Sequence, residues 1–164
     1  MDDMRIATLI SRERIVAELR AQTKEEALRE ISAVIGASFD DSIAQDICDA
    51  LAQRERLAST GIGEFVAIPH GRLDRLPTMV AALARSRDGI DFGAMDGQPT
   101  RLFFVIVAPG AANGMHLRAL ARVARLCKNA SFRQRLLGAE ASDAMFEVLC
   151  SAEQEYDPRP TEVR

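Results

Sequence analysis

The order of apolar and polar positions divides the chain into alternating helical and strand segments. Thr23 and Glu26 have the spacing of a capping box, and Ala27, Leu28, Ile31, Val34 and Ile35 then fall on one face of a 3.6-residue period. A helix ending at Gly36 is predicted. Asp40 or Asp41 caps a second helix, whose stripe is Ile43, Ile47, Ala50 and Leu51. Residues 14–19 are short, apolar and β-branched, as a strand requires. Ser59-Thr60-Gly61-Ile62-Gly63 reads as a turn. It is followed by apolar runs at 65–68, 79–84 and 102–108, with little alternation, as in strands covered on both faces. Asn113 opens a helix through about Lys128, with Leu117, Leu120, Ala124 and Cys127 expected to face inward, and a last helix covers about 141–152. Helices interleaved with doubly covered strands predict one α/β layered domain, a mixed β-sheet flanked by helices on both faces. From residue 153 to 164 the chain is polar, with two prolines within three residues, and reads as a flexible C-terminal tail.

Composition narrows the classes. A chain of 164 residues, 48% hydrophobic and 27% charged, suits one domain with a real core. The net charge of −3 lacks the basic excess of a nucleic-acid binder. No apolar stretch approaches the roughly 18–20 residues that insertion across a bilayer needs. The start Met-Asp-Asp-Met-Arg has no signal-peptide character. Cys48, Cys127 and Cys150 are odd in number, widely spaced and set in helix-like apolar patterns, so they read as buried free thiols of a reducing compartment. A cytoplasmic protein is the expectation.

The candidate chemistry lies in few residues. There are two histidines. His70 follows Pro69, which fixes the backbone before it, and precedes Gly71, which would let a ligand approach the main chain. It lies just past a buried strand, where sites of α/β sheets gather. From position alone it reads equally as a loop histidine bonded to backbone. His116 lies in the first turn of a helix and continues the stripe of Leu120, Val123 and Cys127, so the plain reading is a partly buried core histidine. The helix dipole there disfavours the imidazolium and attracts anions, a setting that also suits a phosphate neighbour. Arg54 stands where the stripe through 47 and 51 calls for an apolar residue. It is either a snorkelling side chain or a guanidinium turned toward the segment leading to His70, and its fork matches phosphate oxygens. The backbone of Ser59 and Thr60 could cradle an anion, although the run is neither a P-loop nor a dinucleotide fingerprint. Asp88, Asp91 and Asp96 read as solvated loop residues, and Arg118, Arg122 and Arg125 as an exposed basic helix face. No metal site is expected, because neither paired cysteines nor histidines at ligand spacing occur.

Taken together, Arg54-Glu55 and the run Ser59-Thr-Gly-Ile-Gly-Glu-Phe-Val-Ala-Ile-Pro-His70-Gly71 resemble a known signature, the EIIA type-2 domain of the bacterial phosphoenolpyruvate:sugar phosphotransferase system, fructose/mannitol class. Gly89-Ile-Asp-Phe92, Asp96-Gly-Gln-Pro99, the strand at 102–109 and His116-Leu-Arg-Ala-Leu120 agree with it. The resemblance covers a domain at 10–152, and Ser-Thr-Gly-Ile-Gly makes the chain most similar to the nitrogen-regulatory branch. It implies a phosphocarrier rather than a stand-alone enzyme, with no cofactor. His70 would accept a phosphoryl group from an HPr-like protein, assisted by His116 and Arg54, with Ser59, Thr60 and Gly71 around the phosphoryl group. The further partner would be a regulatory target, or an EIIB domain if the chain serves sugar transport. Phe65 stands where many members carry glycine and Arg72 where lysine is frequent, which bears on partner docking rather than on the nucleophile.

Overall fold

The computed structural model describes residues 4–112 and 114–156. Its centre is an antiparallel pair, β5 (Val80–Ile90) and β6 (Thr100–Ala108), to which the other strands attach. β1 (Ile15–Val16) lies parallel to β5 on one side. On the other side, β3 (Val66–Ala67) and β4 (His70–Arg72) lie one after the other along β6, both parallel to it, and β2 (Gly61–Gly63) pairs antiparallel with β3 at the edge. Val66 opposes Leu102 and His70 opposes Ile106, a constant offset. Residues 66–72 are therefore one extended run, interrupted at Pro69, which has no N–H to give the ladder.

Period-2 alternation splits the core in two. Leu102, Phe104, Ile106 and Ala108 face one cluster with Ala81 and Leu83, while Phe103, Val105 and Val107 face the other with Val80, Ala82 and Ala84. The first is covered by α1 (Ile6–Leu9), α4 (Gly114–Cys127), α5 (Ala130–Gly138) and α6 (Ser142–Tyr156), the second by α2 (Lys24–Gly36) and α3 (Asp41–Leu57). This is the mixed sheet with helices on both faces that the pattern predicts.

The caps of α2 and α3 are those expected. Thr23 accepts from the N–H of Glu26 and Asp40 from that of Ile43. Elsewhere the pattern misleads. The strand at 79–84 continues to Ile90, the segment at 59–63 contributes β2, and α1 and α5 carry no sequence signal strong enough to announce them. Asn113 lies outside the described residues. Along α4 the buried positions are His116, Ala119, Val123, Leu126 and Cys127, whereas Leu117 is 67% exposed. Cys127 is buried, its thiol pushed up to about 12 by burial, but Cys48 and Cys150 are only half-buried. Arg122 is not a solvated charge, because its Nε donates to Glu153 at 2.8 Å.

Residue 153 does not begin a tail. α6 runs to Tyr156, and Glu153 is 1% exposed. Its carboxylate accepts from the free N–H groups at the start of α1, Ile6 at 2.7 Å and Ala7 at 2.8 Å, as well as from Arg122. A polar residue near a chain end looks like tail in sequence, but here it satisfies a helix N-terminus and a buried arginine. Residues 157–164 lie outside the described residues.

The β2–β3 turn has a notable backbone. Glu64 (φ 54°) and Phe65 (φ 66°) both occupy the left-handed region, as a two-residue hairpin turn demands. A side chain in this region costs about 1–2 kcal/mol relative to the right-handed one, so Phe65 stands in a conformation that favours glycine. The turn is held by Asp96, which accepts from the N–H of Glu64 at 2.9 Å, and by the Phe65 carbonyl, which accepts from Arg101 and Leu102.

Candidate functional site

His70 opens β4, so it is a strand residue rather than a loop residue. Its neighbour Gly71 turns toward α3, where a Cβ would stand 3.3 Å from the carbonyl carbon and oxygen of Ala50. Gly71 thus serves close helix–sheet packing. By alternation His70 points to the opposite face, where α4 brings His116. The two imidazoles meet edge to face, with centroids 5.5 Å apart and planes at 84°.

The hydrogen bonding of His70 fixes its chemistry. Nδ1 lies 2.8 Å from the carbonyl oxygen of Ile68. A carbonyl can only accept, so Nδ1 carries the proton and Nε2 carries the lone pair. Burial lowers the pKa of His70 from 6.5, opposed by the Ile68 bond and by Glu55 and reinforced by Arg54. His116 is 5% exposed, and among the described residues neither of its ring nitrogens has a partner. Burial lowers its pKa as well, followed by the charges of His70 and Arg72. Burial thus favours the neutral form of both rings, and a buried imidazole with an unused N–H stands beside a nucleophilic nitrogen.

Arg54, half-buried in the last turn of α3, donates from Nη1 to the carbonyl of Ala58 at 3.0 Å, and its charge reaches His70. The guanidinium is thereby turned toward the segment that leads to His70. Ser59 and Thr60 are placed otherwise than expected. The Ser59 hydroxyl donates to the Phe92 carbonyl at 2.5 Å. The N–H and hydroxyl of Thr60 both donate to Glu55, at 3.1 and 2.5 Å to its nearer oxygens. The two hydroxyls and the Thr60 N–H are thus spent inside the protein, on the Phe92 carbonyl and the buried Glu55 carboxylate.

Glu55 is the residue that reading the sequence for chemistry passes over. It is 7% exposed and also pairs with Lys24 Nζ at 3.0 Å. A signal was available, since position 55 continues the i, i+4 series 43, 47, 51 of buried residues. An acid at that register must be buried with donors around it. The surroundings also present exposed apolar side chains, among them Leu57, Ile62, Met115 and Leu117, which are close in sequence to Arg54, Thr60 and His116. Among the described residues no group of His, Cys, Asp and Glu could hold a metal ion, and no helix is long and apolar enough to cross a membrane.

Comparison with known proteins places the chain in a family. The family model described as phosphoenolpyruvate-dependent sugar phosphotransferase system, EIIA 2, matches residues 8–152. A nitrogen regulatory protein of Bradyrhizobium diazoefficiens is 38% identical over 89% of this chain and 95% of its own length. The fructose-specific EIIA component of Haloferax volcanii is 38% identical over 91% of this chain and 97% of its own. The fructose-specific EIIABC component of Bacillus subtilis is 35% identical, with the match spanning 23% of that longer protein. Among solved structures, nitrogen regulatory protein IIA-Ntr of Neisseria meningitidis superposes with a TM-score of 0.81 at 30% identity, covering 88% of this chain and 98% of that one. Mannitol IIA of Escherichia coli superposes at 0.71 with 26% identity, covering 85% and 97%. The chain belongs to the EIIA type-2 family of the phosphoenolpyruvate-dependent sugar phosphotransferase system.

Proposed function

We propose that this protein is a phosphocarrier of the nitrogen-regulatory kind, which accepts a phosphoryl group on Nε2 of His70 from an HPr-like donor and acts on a target according to its phosphorylation state. The observation that carries this reading is the bond from Nδ1–H of His70 to the Ile68 carbonyl, which leaves the Nε2 lone pair for attack. A neutral imidazole is already nucleophilic, so no base is needed. In-line transfer from a donor phosphohistidine passes through a loose transition state with charge on the equatorial oxygens. The N–H of His116 and the Arg54 guanidinium are the groups to receive that charge. Donor and acceptor are both phosphoramidates, so transfer is close to balanced and reversible, which suits a relay or a sensor. Ser59 and Thr60 support the site by shaping the turn, with both hydroxyls and the Thr60 N–H engaged inside the protein.

The test is incubation with phosphoenolpyruvate, enzyme I and HPr. Acid-labile phosphate should appear on the wild type and be absent from His70→Ala; a labelled His70→Ala would overturn the assignment. The alternative is a sugar-transport EIIA that passes phosphate to an EIIB domain, favoured by the fructose-specific relatives. Adding EIIB acceptors to the labelled protein separates the two, because only a transport component discharges onto them.

A further inference from the structure

A buried carboxylate lies at the end of a chain of hydrogen bonds that terminates on the His70 ring. Glu55 accepts from the N–H of Thr60 at 3.1 Å; the Thr60 carbonyl accepts from the N–H of Ile68 at 3.0 Å; the Ile68 carbonyl accepts from Nδ1–H of His70 at 2.8 Å. Ile68, whose carbonyl orients the imidazole, is thus tied through Thr60 to a side chain on α3. The bond from the Thr60 hydroxyl at 2.5 Å and the ion pair with Lys24 on α2 hold the carboxylate itself in place.

The chemistry at His70 gives this ladder a role. During transfer the donor's N–P bond breaks and its electron pair stays on the donor nitrogen, while the Nε2 lone pair of His70 forms the new N–P bond. The proton remains on Nδ1, so the ring becomes positively charged until that proton is shed. A charged N–H donates more strongly to Ile68 than a neutral one. The other charges near the site do not help: Arg54 from α3 opposes positive charge on His70, and Arg72 on β4 opposes it on the neighbouring His116. Glu55 is the anion among them, and burial weakens solvent screening of its charge.

We propose that Glu55 is a positioning residue for His70, which fixes the main chain at Ile68, whose carbonyl holds the imidazole, and counterbalances the positive charge acquired by the ring on phosphorylation. This rests on the reading of His70 as the phosphoryl acceptor.

Two variants with opposite expected signs test it. Glu55→Gln keeps the shape and an acceptor for Thr60 but removes the charge. Lys24→Met leaves the ladder and exposes the full charge of Glu55. Titration of the unphosphorylated proteins by 1H–15N NMR should move the His70 midpoint down in Glu55→Gln and up in Lys24→Met. With phospho-HPr as donor, Glu55→Gln should still reach full labelling, but with kcat lowered roughly tenfold and KM little changed, as expected of a misplaced nucleophile. A purely structural Glu55 would give no opposed shifts. Unmoved midpoints in both folded variants, or a Glu55→Gln that transfers at the wild-type rate, would overturn the proposal. If Glu55→Gln does not fold, the Lys24→Met titration decides alone, upward in favour and unmoved against. Absence of labelling in the wild type would instead remove the reading of His70 as acceptor, while the titrations would still report whether Glu55 controls the ring.

Discussion

His70 and His116 contact each other edge to face at 5.5 Å, and the two rings are used differently: His70 has its Nδ1 tied to backbone, whereas neither nitrogen of His116 has a partner among the described residues. A buried imidazole without partners is costly unless something else occupies its hydrogen-bonding capacity. A phosphoryl oxygen on His70 would do so.

Replacing His116 by Ala should therefore slow phosphoryl transfer by roughly 100- to 1,000-fold, the order of magnitude for loss of one donor to transition-state charge. Because no protein hydrogen bond is broken, the variant should keep a cooperative thermal transition. Stopped-flow or quenched labelling with phospho-HPr, alongside circular dichroism melts, checks both halves. A variant that fails to fold would return His116 to the role of a core residue.

Acidification should act on both histidines. Each has a folded pKa below its ordinary 6.5, chiefly through burial, so between those values the unfolded chain binds more protons than the folded one. Stability from these groups is fully present above about pH 6.5 and is lost as pH falls through the lowered folded values. The carboxyls of Glu13, Asp40 and Asp96, held by hydrogen bonds below 4.5, 3.8 and 3.8, act in a lower window. Melts across pH 7.5 to 5 should show a declining Tm, and the decline should shrink in His116→Ala.

Glu153→Ala should cost about 3–5 kcal/mol, because it strands the buried Arg122 and uncaps the N-terminus of α1. Urea midpoints measure the loss, and hydrogen exchange at the Ile6 and Ala7 amides locates it. Ordinary protection of those amides in the variant would show that α1 docks without this contact.

Much of this was legible in the chain. The caps at Thr23 and Asp40, the stripes of α2 and α3 and the apolar runs of the sheet are local features, written in spacing and residue type. The resemblance around His70 identified the family for the same reason, since its motif is nearly contiguous. What failed was whatever depends on distant partners. Leu117 looks like a core leucine by type, yet α4 is rotated so that His116, Ala119 and Val123 meet the sheet.

The sequence by itself determined α2, α3 and the main strands, the family and the histidine that stands out, because short-range periodicity and a compact motif suffice for these. Only the tertiary structure decided that Nδ1 of His70 faces a carbonyl, that Thr60 spends its donors on Glu55 and that Glu153 closes onto α1 across 147 positions. Hydrogen-bond direction and burial arise when segments far apart in the chain are packed together, and spacing along the chain carries no record of them.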